Sequence, residues 1–213
     1  MMVLMNKTAN YQDLLAGVET FPSRVVQKDQ GRYGILAKTQ SPRIAFVTCS
    51  DSRIDPCAMT DTQPGDLFVI RNAGNLVPTA DGGNSGEIAT LEFAVKALKV
   101  QSIVVCGHSD CGAMKGLISP EACSHLHHVA NWVTLAKPAL AGVEVEKGKT
   151  KPDLNAVIES NVQLQLENLR KLDFIREAEE SGNLSIHGWV YNVGTGIVQV
   201  IEGDQSESLQ HVA

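Results

Sequence analysis

The stretch CGHSDCGAMKG (106–116) places His108 and Cys111 three positions apart, directly after the apolar run SIVV. If a helix begins at Cys111, both side chains can converge on one point, and imidazole with thiolate is a donor pair for a borderline-soft metal ion. Two ligands do not make a site. A third donor is available in Cys49, at the end of the apolar run in RIAFVTCSDSR (43–53). A Cys2His set suits Zn²⁺, and three protein ligands leave a fourth position for water. Cys106 is a rival ligand, although its place on the strand before Gly107 points to the core. Taken singly, each cysteine also reads as an ordinary buried thiol. The combination favours a metal.

CSDSR (49–53) adds an Asp two residues beyond Cys49 and an Arg two further on. Asp51 could accept a hydrogen bond from a zinc-bound hydroxide while Arg53 neutralises and orients the carboxylate. The competing reading is a surface ion pair, worth little. Only one residue separates Asp51 from Arg53, and the Cys-to-Arg spacing is too short for a phosphatase loop.

The elements that must position these groups follow from hydrophobic pattern. RIAFVT (43–48), DLFVIRN (66–72) and SIVVCG (102–107) are short apolar runs bounded by turn residues, which predicts strands. EIATLEFAVKALKV (87–100) carries Ile88, Leu91, Ala94, Val95 and Leu98 at helical spacing. KPDLNAVIESNVQLQLENLRKL (151–172) predicts a long helix with Pro and Asp at its start. NLSIHGWVYNVGTGIVQVIEG reads as two strands joined by a Gly-rich turn. The fold class is therefore α/β: a mostly parallel central sheet flanked by helices, with an antiparallel edge strand. Tyr11, Leu14, Leu15 and Val18 predict an N-terminal helix, with Pro22 as a break before a second helical piece. The simplest organisation is one domain, with residues 1–40 a helical arm that clasps a partner chain and 41–213 the α/β core. In such sheets sites form outside the carboxyl ends of the strands, where Cys49 and His108 both fall.

Composition narrows the function. The chain has 213 residues, 43% hydrophobic and 20% charged, with a formal charge of −6. An acidic balance argues against a nucleic-acid partner. The apolar runs are too short to span a bilayer, and MMVLMNKTAN has no secretory-signal pattern. Five cysteines, an odd number, favour thiols kept reduced and a cytoplasmic location.

CSDSR, PGDLFVIRNAGN (64–75) and GHSDCGAMKG (107–116) together resemble the signature blocks of the β-class carbonic anhydrases, and the similarity continues through HGWVYNV (187–193). The resemblance implies Zn²⁺ on Cys49, His108 and Cys111, one ion per subunit. It also implies an Asp51–Arg53 dyad and reversible hydration of carbon dioxide to bicarbonate and a proton by zinc-bound hydroxide. Gln40 and Phe68 match substrate-pocket residues of plant-type members, in which the pocket opens at a dimer interface and these side chains face the neighbour's zinc. Phe93 stands where many of those enzymes carry tyrosine. The backbone N–H of Gly112, at a helix start, is a candidate donor to substrate oxygen. The bicarbonate-inhibited bacterial type is less similar: it has a tryptophan where this chain has Phe46, although Arg71 of the shared IRN is present. The expected assembly is a homodimer, tetramer or octamer.

The histidines of SHLHHV (124–129) read as solvated, His187 as a core histidine, and GGNSG (82–86) as an ordinary turn rather than a phosphate cradle. Two alternatives remain at this stage. One is hydrolysis of carbonyl sulfide or carbon disulfide on the same metal site. The other is a non-enzymatic zinc module whose fourth ligand is Cys106 or Asp51.

Overall fold

Strands buried on both faces need continuous apolar sequence, and IAFVTC and SIVVCGH supply it. They form β1 (Ile44–Cys49) and β3 (Ser102–His108), two adjacent interior strands of a five-stranded sheet in the order β2-β1-β3-β4-β5. β2 (Leu67–Asn72) lies on one edge, where its burial alternates, while β4 (Ser185–Tyr191) and β5 (Val198–Glu202) complete the other side. Pairing is parallel from β2 to β4 and antiparallel between β4 and β5, as the sequence predicts. This computed structural model describes residues 10–79 and 85–202. The chain divides into two compact units, Met1–Gln40 and Ser41–Ala213.

In the first unit, Asn10 and Asp13 form a reciprocal capping box that opens α1 (Tyr11–Arg24). A short 3₁₀ turn (Val26–Lys28) leads to α2 (Gln30–Leu36), which Asp29 caps through the Arg32 N–H. The expected break at Pro22 does not occur. The helix runs two residues further and the Val25 N–H still bonds Phe21 O at 2.9 Å. Proline forfeits one hydrogen bond here, in the last turn of an exposed helix, where fraying already makes that bond weak.

In the second unit, α3 (Pro56–Thr60) follows β1, and α4 (Gly86–Glu92) begins at the Ser85 cap. α4 widens into a π turn over Phe93–Ala97, and Leu91, Ala94 and Val95 of the expected stripe are buried. After β3 come α5 (Gly112–Ile118), α6 (Pro120–Cys123) and α7 (His127–Val133), then a 3₁₀ stretch over Thr134–Leu140. α8 (Leu154–Arg170) and α9 (Asp173–Glu180) lead back to β4. α8 crosses β3 so closely that a Cβ on Gly107 would lie 2.8 Å from Val162 Cγ2. Among the described residues no helix is long and apolar enough to cross a membrane. Most of GGNSG and the first nine residues, where no signal was expected, lie outside the described residues.

Candidate metal centre

Parallel pairing sets the ends of β1 and β3 side by side: Thr48 is opposite Cys106, so Cys49 and His108 emerge at the same end of the sheet. Cys111 is the N-cap of α5, three residues beyond. One donor atom from each of Cys49, His108 and Cys111 lies within 4.8 Å of the other two, and all three residues are buried. Cys106 is not in this group. It packs with Phe46, Val104 and Trp189 in a separate cluster of the sheet, and burial pushes its thiol up to about 12.

The backbone around the donors is tied down from several directions. Arg71, one strand over, donates from Nε and Nη2 to Cys49 O and from Nη2 to Asp51 O, at 2.8–3.0 Å. The Gly74 N–H points at Cys49 Sγ at 3.3 Å. Gly74 has φ +86°, and an added Cβ would sit 3.0 Å from Ala113 Cβ, so both backbone angle and space require glycine. Three buried amides of α8 hold the same loop. Asn161 donates to Gly74 O, Gln165 accepts from Val77 N and donates to Asn161, and Asn168 donates to Val77 O.

His108 is fully buried, and its Nδ1 lies 2.9 Å from Ser109 O. A carbonyl only accepts, so Nδ1 carries the proton and Nε2 presents a lone pair. That lone pair has no partner among the described residues. Leaving a buried acceptor unmade costs about 1–3 kcal/mol, and a cation between Nε2 and the two sulfurs would remove the cost. The thiols point the same way. The first proton leaves the pair below the usual thiol range because Cys111 donates a hydrogen bond to the Cys49 sulfur. The second is held above that range by the adjacent thiolate and by burial. A divalent ion satisfies both thiolates at once, so the donor set fits Zn²⁺.

Beside the donors, Arg53 grips Asp51 with a fork: Nε to Oδ1 at 2.9 Å and Nη2 to Oδ2 at 2.7 Å. This guanidinium holds the Asp51 carboxyl far below the usual carboxylate range. Asp51 Oδ2 lies 4.0 Å from His108 Nε2.

The carbonic anhydrase family model matches residues 44–198, the whole stretch that carries these elements. This chain belongs to the β-class carbonic anhydrases. It is 39% identical over 193 residues to a carbonic anhydrase of Pseudomonas aeruginosa, covering 90% of this chain and 88% of that one. The β-carbonic anhydrase CcaA has a solved structure with TM-score 0.81 and 36% identity, over 90% of this chain and 95% of the other. A tetrameric β-carbonic anhydrase from Sordaria macrospora gives TM-score 0.76 at 28% identity, over 89% and 95%. Reversible hydration of carbon dioxide to bicarbonate and a proton is thus the activity of this chain, with Zn²⁺ as its cofactor at the Cys49–His108–Cys111 triad.

Not every residue expected in a β-carbonic anhydrase pocket gathers at this triad. Gly112 is the first residue of α5, directly after the ligand Cys111. Phe68 pairs with Ala45, four residues before Cys49 along the sheet, or about 13 Å away at strand rise. It packs near Phe93 with ring centroids 6.1 Å apart, and Phe93 is 47% exposed. Gln40 ends the first unit and is exposed. His127 and His128 fall on α7, stacked edge to face and exposed, and His187 bonds Ser185 Oγ. The sequence reading missed the α8 amides and Asp110. The amides had a usable signal, since Asn161, Gln165 and Asn168 share one stripe with Val162, Leu166 and Leu169.

Proposed function

We propose that Asp51 and Arg53 are catalytic residues of the hydration reaction and that a second copy of the chain completes the substrate pocket. The Arg53 fork on Asp51 carries the first part. A carboxylate whose two oxygens are both engaged by one guanidinium stays ionised and keeps a fixed direction, so it can accept a hydrogen bond from a proton-bearing oxygen without wandering onto the metal. Zn²⁺ held by Cys49, His108 and Cys111 would supply a Lewis acid that makes a hydroxide nucleophile available near neutral pH. The Gly112 N–H, at the start of α5 directly after the ligand Cys111, is assigned the role of donor to an oxygen of bicarbonate.

Phe68, Phe93 and Gln40 are assigned to the pocket wall of the neighbouring copy. Phe68 is too far down its own strand to reach its own metal, and the exposed Phe93 adjoins it. The N-terminal arm supports the same assembly. Tyr11, Leu14 and Val18 are 60–70% exposed on α1, an apolar face with no described residue buried on it. A homodimer, or a tetramer or octamer built from it, would cover that face. Residues 41–213 are read as the single catalytic domain. None of the five cysteines is in a disulfide, which supports the cytoplasm as the working compartment.

The test combines stopped-flow hydration of carbon dioxide, zinc content and sedimentation. The expected result is one zinc per chain, turnover that Arg53→Ala reduces about a hundredfold without loss of metal, and an assembly no smaller than a dimer. Near-parent turnover in zinc-loaded Arg53→Ala would reduce the dyad to a surface ion pair. A fully active monomer would remove the shared pocket.

A further inference from the structure

The fork that grips Asp51 does not use all of Arg53. Its Nη1 donates to Asp110 Oδ2 at 2.9 Å, and Nη2 also lies 3.3 Å from Asp110 O. The other Asp110 oxygen is paired with Lys115 of α5. Four charges of alternating sign therefore run Asp51, Arg53, Asp110, Lys115, across two loops and the first turn of α5. Asp110 stands between the ligands His108 and Cys111 with φ +61°, a left-handed conformation that Asp adopts more readily than most residues.

Holding the metal does not require this chain of charges, because Cys49, His108 and Cys111 have their own backbone anchors. What it restrains is Arg53, whose side chain is 42% exposed. Asp51 Oδ1 also accepts from the Arg53 backbone N–H at 3.0 Å, but Oδ2 is bonded by Nη2 of the side chain. An arginine held by this carboxylate alone can therefore swing that oxygen with it about Oδ1. Asp51 Oδ2 is already 4.0 Å from His108 Nε2, so a small rotation of the pair brings it within reach of an ion on that nitrogen. A second anchor, fixed in the ligand loop itself, opposes that rotation. We propose that Asp110, braced by Lys115, is a positioning residue that ties Arg53 to the metal-ligand loop and so keeps the Asp51 carboxylate beside the fourth coordination position rather than in it.

This inference rests on the catalytic reading of the Asp51–Arg53 dyad, and the test separates the two. Exposed ion pairs contribute little to stability, so the tether should show in geometry and turnover, not in folding. Asp110→Asn keeps the size and the left-handed preference and removes the charge. Zinc content, melting temperature, kcat, KM and the visible spectrum of the Co²⁺-loaded protein are measured for Asp110→Asn, Lys115→Met and Arg53→Ala. The expected result for Asp110→Asn is full zinc and an unchanged melting temperature. Its kcat should fall about fivefold or more with KM within about twofold, and its Co²⁺ spectrum should move in the direction that Arg53→Ala moves further. Lys115→Met should shift both readouts the same way by less. Parent kinetics and spectrum in Asp110→Asn, with Arg53→Ala impaired, would overturn the tether alone. Parent turnover in Arg53→Ala would overturn the dyad and the tether with it. Loss of zinc in Asp110→Asn would make Asp110 part of the ligand scaffold and overturn the positioning role.

Discussion

Gly107 precedes the ligand His108 and lies beneath α8, so a single added methyl tests how rigidly the sheet delivers its histidine. The new Cβ of Gly107→Ala would fall 2.8 Å from Val162 Cγ2 and 3.3 Å from Ile158 Cγ2. Carbon atoms settle at about 3.5–4.0 Å, so strand and helix must separate by roughly 0.7–1.2 Å. Neither yields easily. α8 is bonded through Asn161, Gln165 and Asn168 to the loop around Gly74 and Val77, and β3 is paired on both sides with β1 and β4. An overpacked methyl in such a place costs roughly 1–3 kcal/mol. A misplacement of about 1 Å in a catalytic group can cost a hundredfold in rate, and here the neighbour that moves is a metal ligand. Urea unfolding of the zinc-loaded protein should report the stability loss, with a parallel drop in hydration rate. Val162→Ala removes the clashing methyl, so the double variant should be more stable than the two single losses predict, by about 1 kcal/mol. An unchanged urea midpoint in Gly107→Ala, together with strictly additive losses, would refute the close contact and the argument built on it.

Other expectations follow from the same site. Cys49→Ala should fold yet lose both zinc and hydration activity, and full zinc occupancy in that variant would remove Cys49 from the ligand set. Stripping the zinc with a chelator should lower the melting temperature, and restoring it at 100 times its Kd should return about 2.7 kcal/mol; an unchanged melting temperature would mean that the triad needs no ion to fold. Gln165→Leu leaves the Val77 N–H without its acceptor and should cost about 1–3 kcal/mol in urea unfolding, whereas a neutral effect would show that the α8 amides do not hold the loop. The Cys106 thiol stays protonated up to about 12 in the fold, while an unfolded thiol ionises near about 8.5. Between those values the unfolded state binds fewer protons, so this group makes stability fall by up to about 1.4 kcal/mol per pH unit as pH rises. Cys106→Ala should flatten the alkaline limb, and equal slopes in the two proteins would rule that out.

The strands were legible because their cause is local: IAFVTC and SIVVCGH are apolar on both faces and only a covered sheet accommodates that. The metal donors were legible because their side-chain types are themselves the chemistry, and strand ends are where an open sheet exposes them. Pro22 was misread because proline's penalty depends on position, and near a solvated helix end the lost hydrogen bond matters least. Asp110 was invisible for another reason. Its role depends on a left-handed turn that aims the carboxylate at an arginine 57 positions earlier, and nothing in the tetrapeptide HSDC encodes that direction.

The histidine illustrates where side-chain pattern stops and backbone begins. Sequence says that His108 can ligate; it does not say which nitrogen. That is decided by Ser109 O, which accepts a hydrogen bond from the Nδ1 N–H. Ser109 is itself fixed from β4, with its N–H on Tyr191 O and its Oγ accepting from the Val193 N–H. A carbonyl is common to every residue, so no choice of side chain advertises this bond. Yet it alone turns Nε2 into a lone pair facing two thiols, and the parallel pairing of β3 with β4 aims it. β4, which carries no ligand, thus helps set the donor histidine through Tyr191 O and the Val193 N–H just beyond it, which hold Ser109 in place.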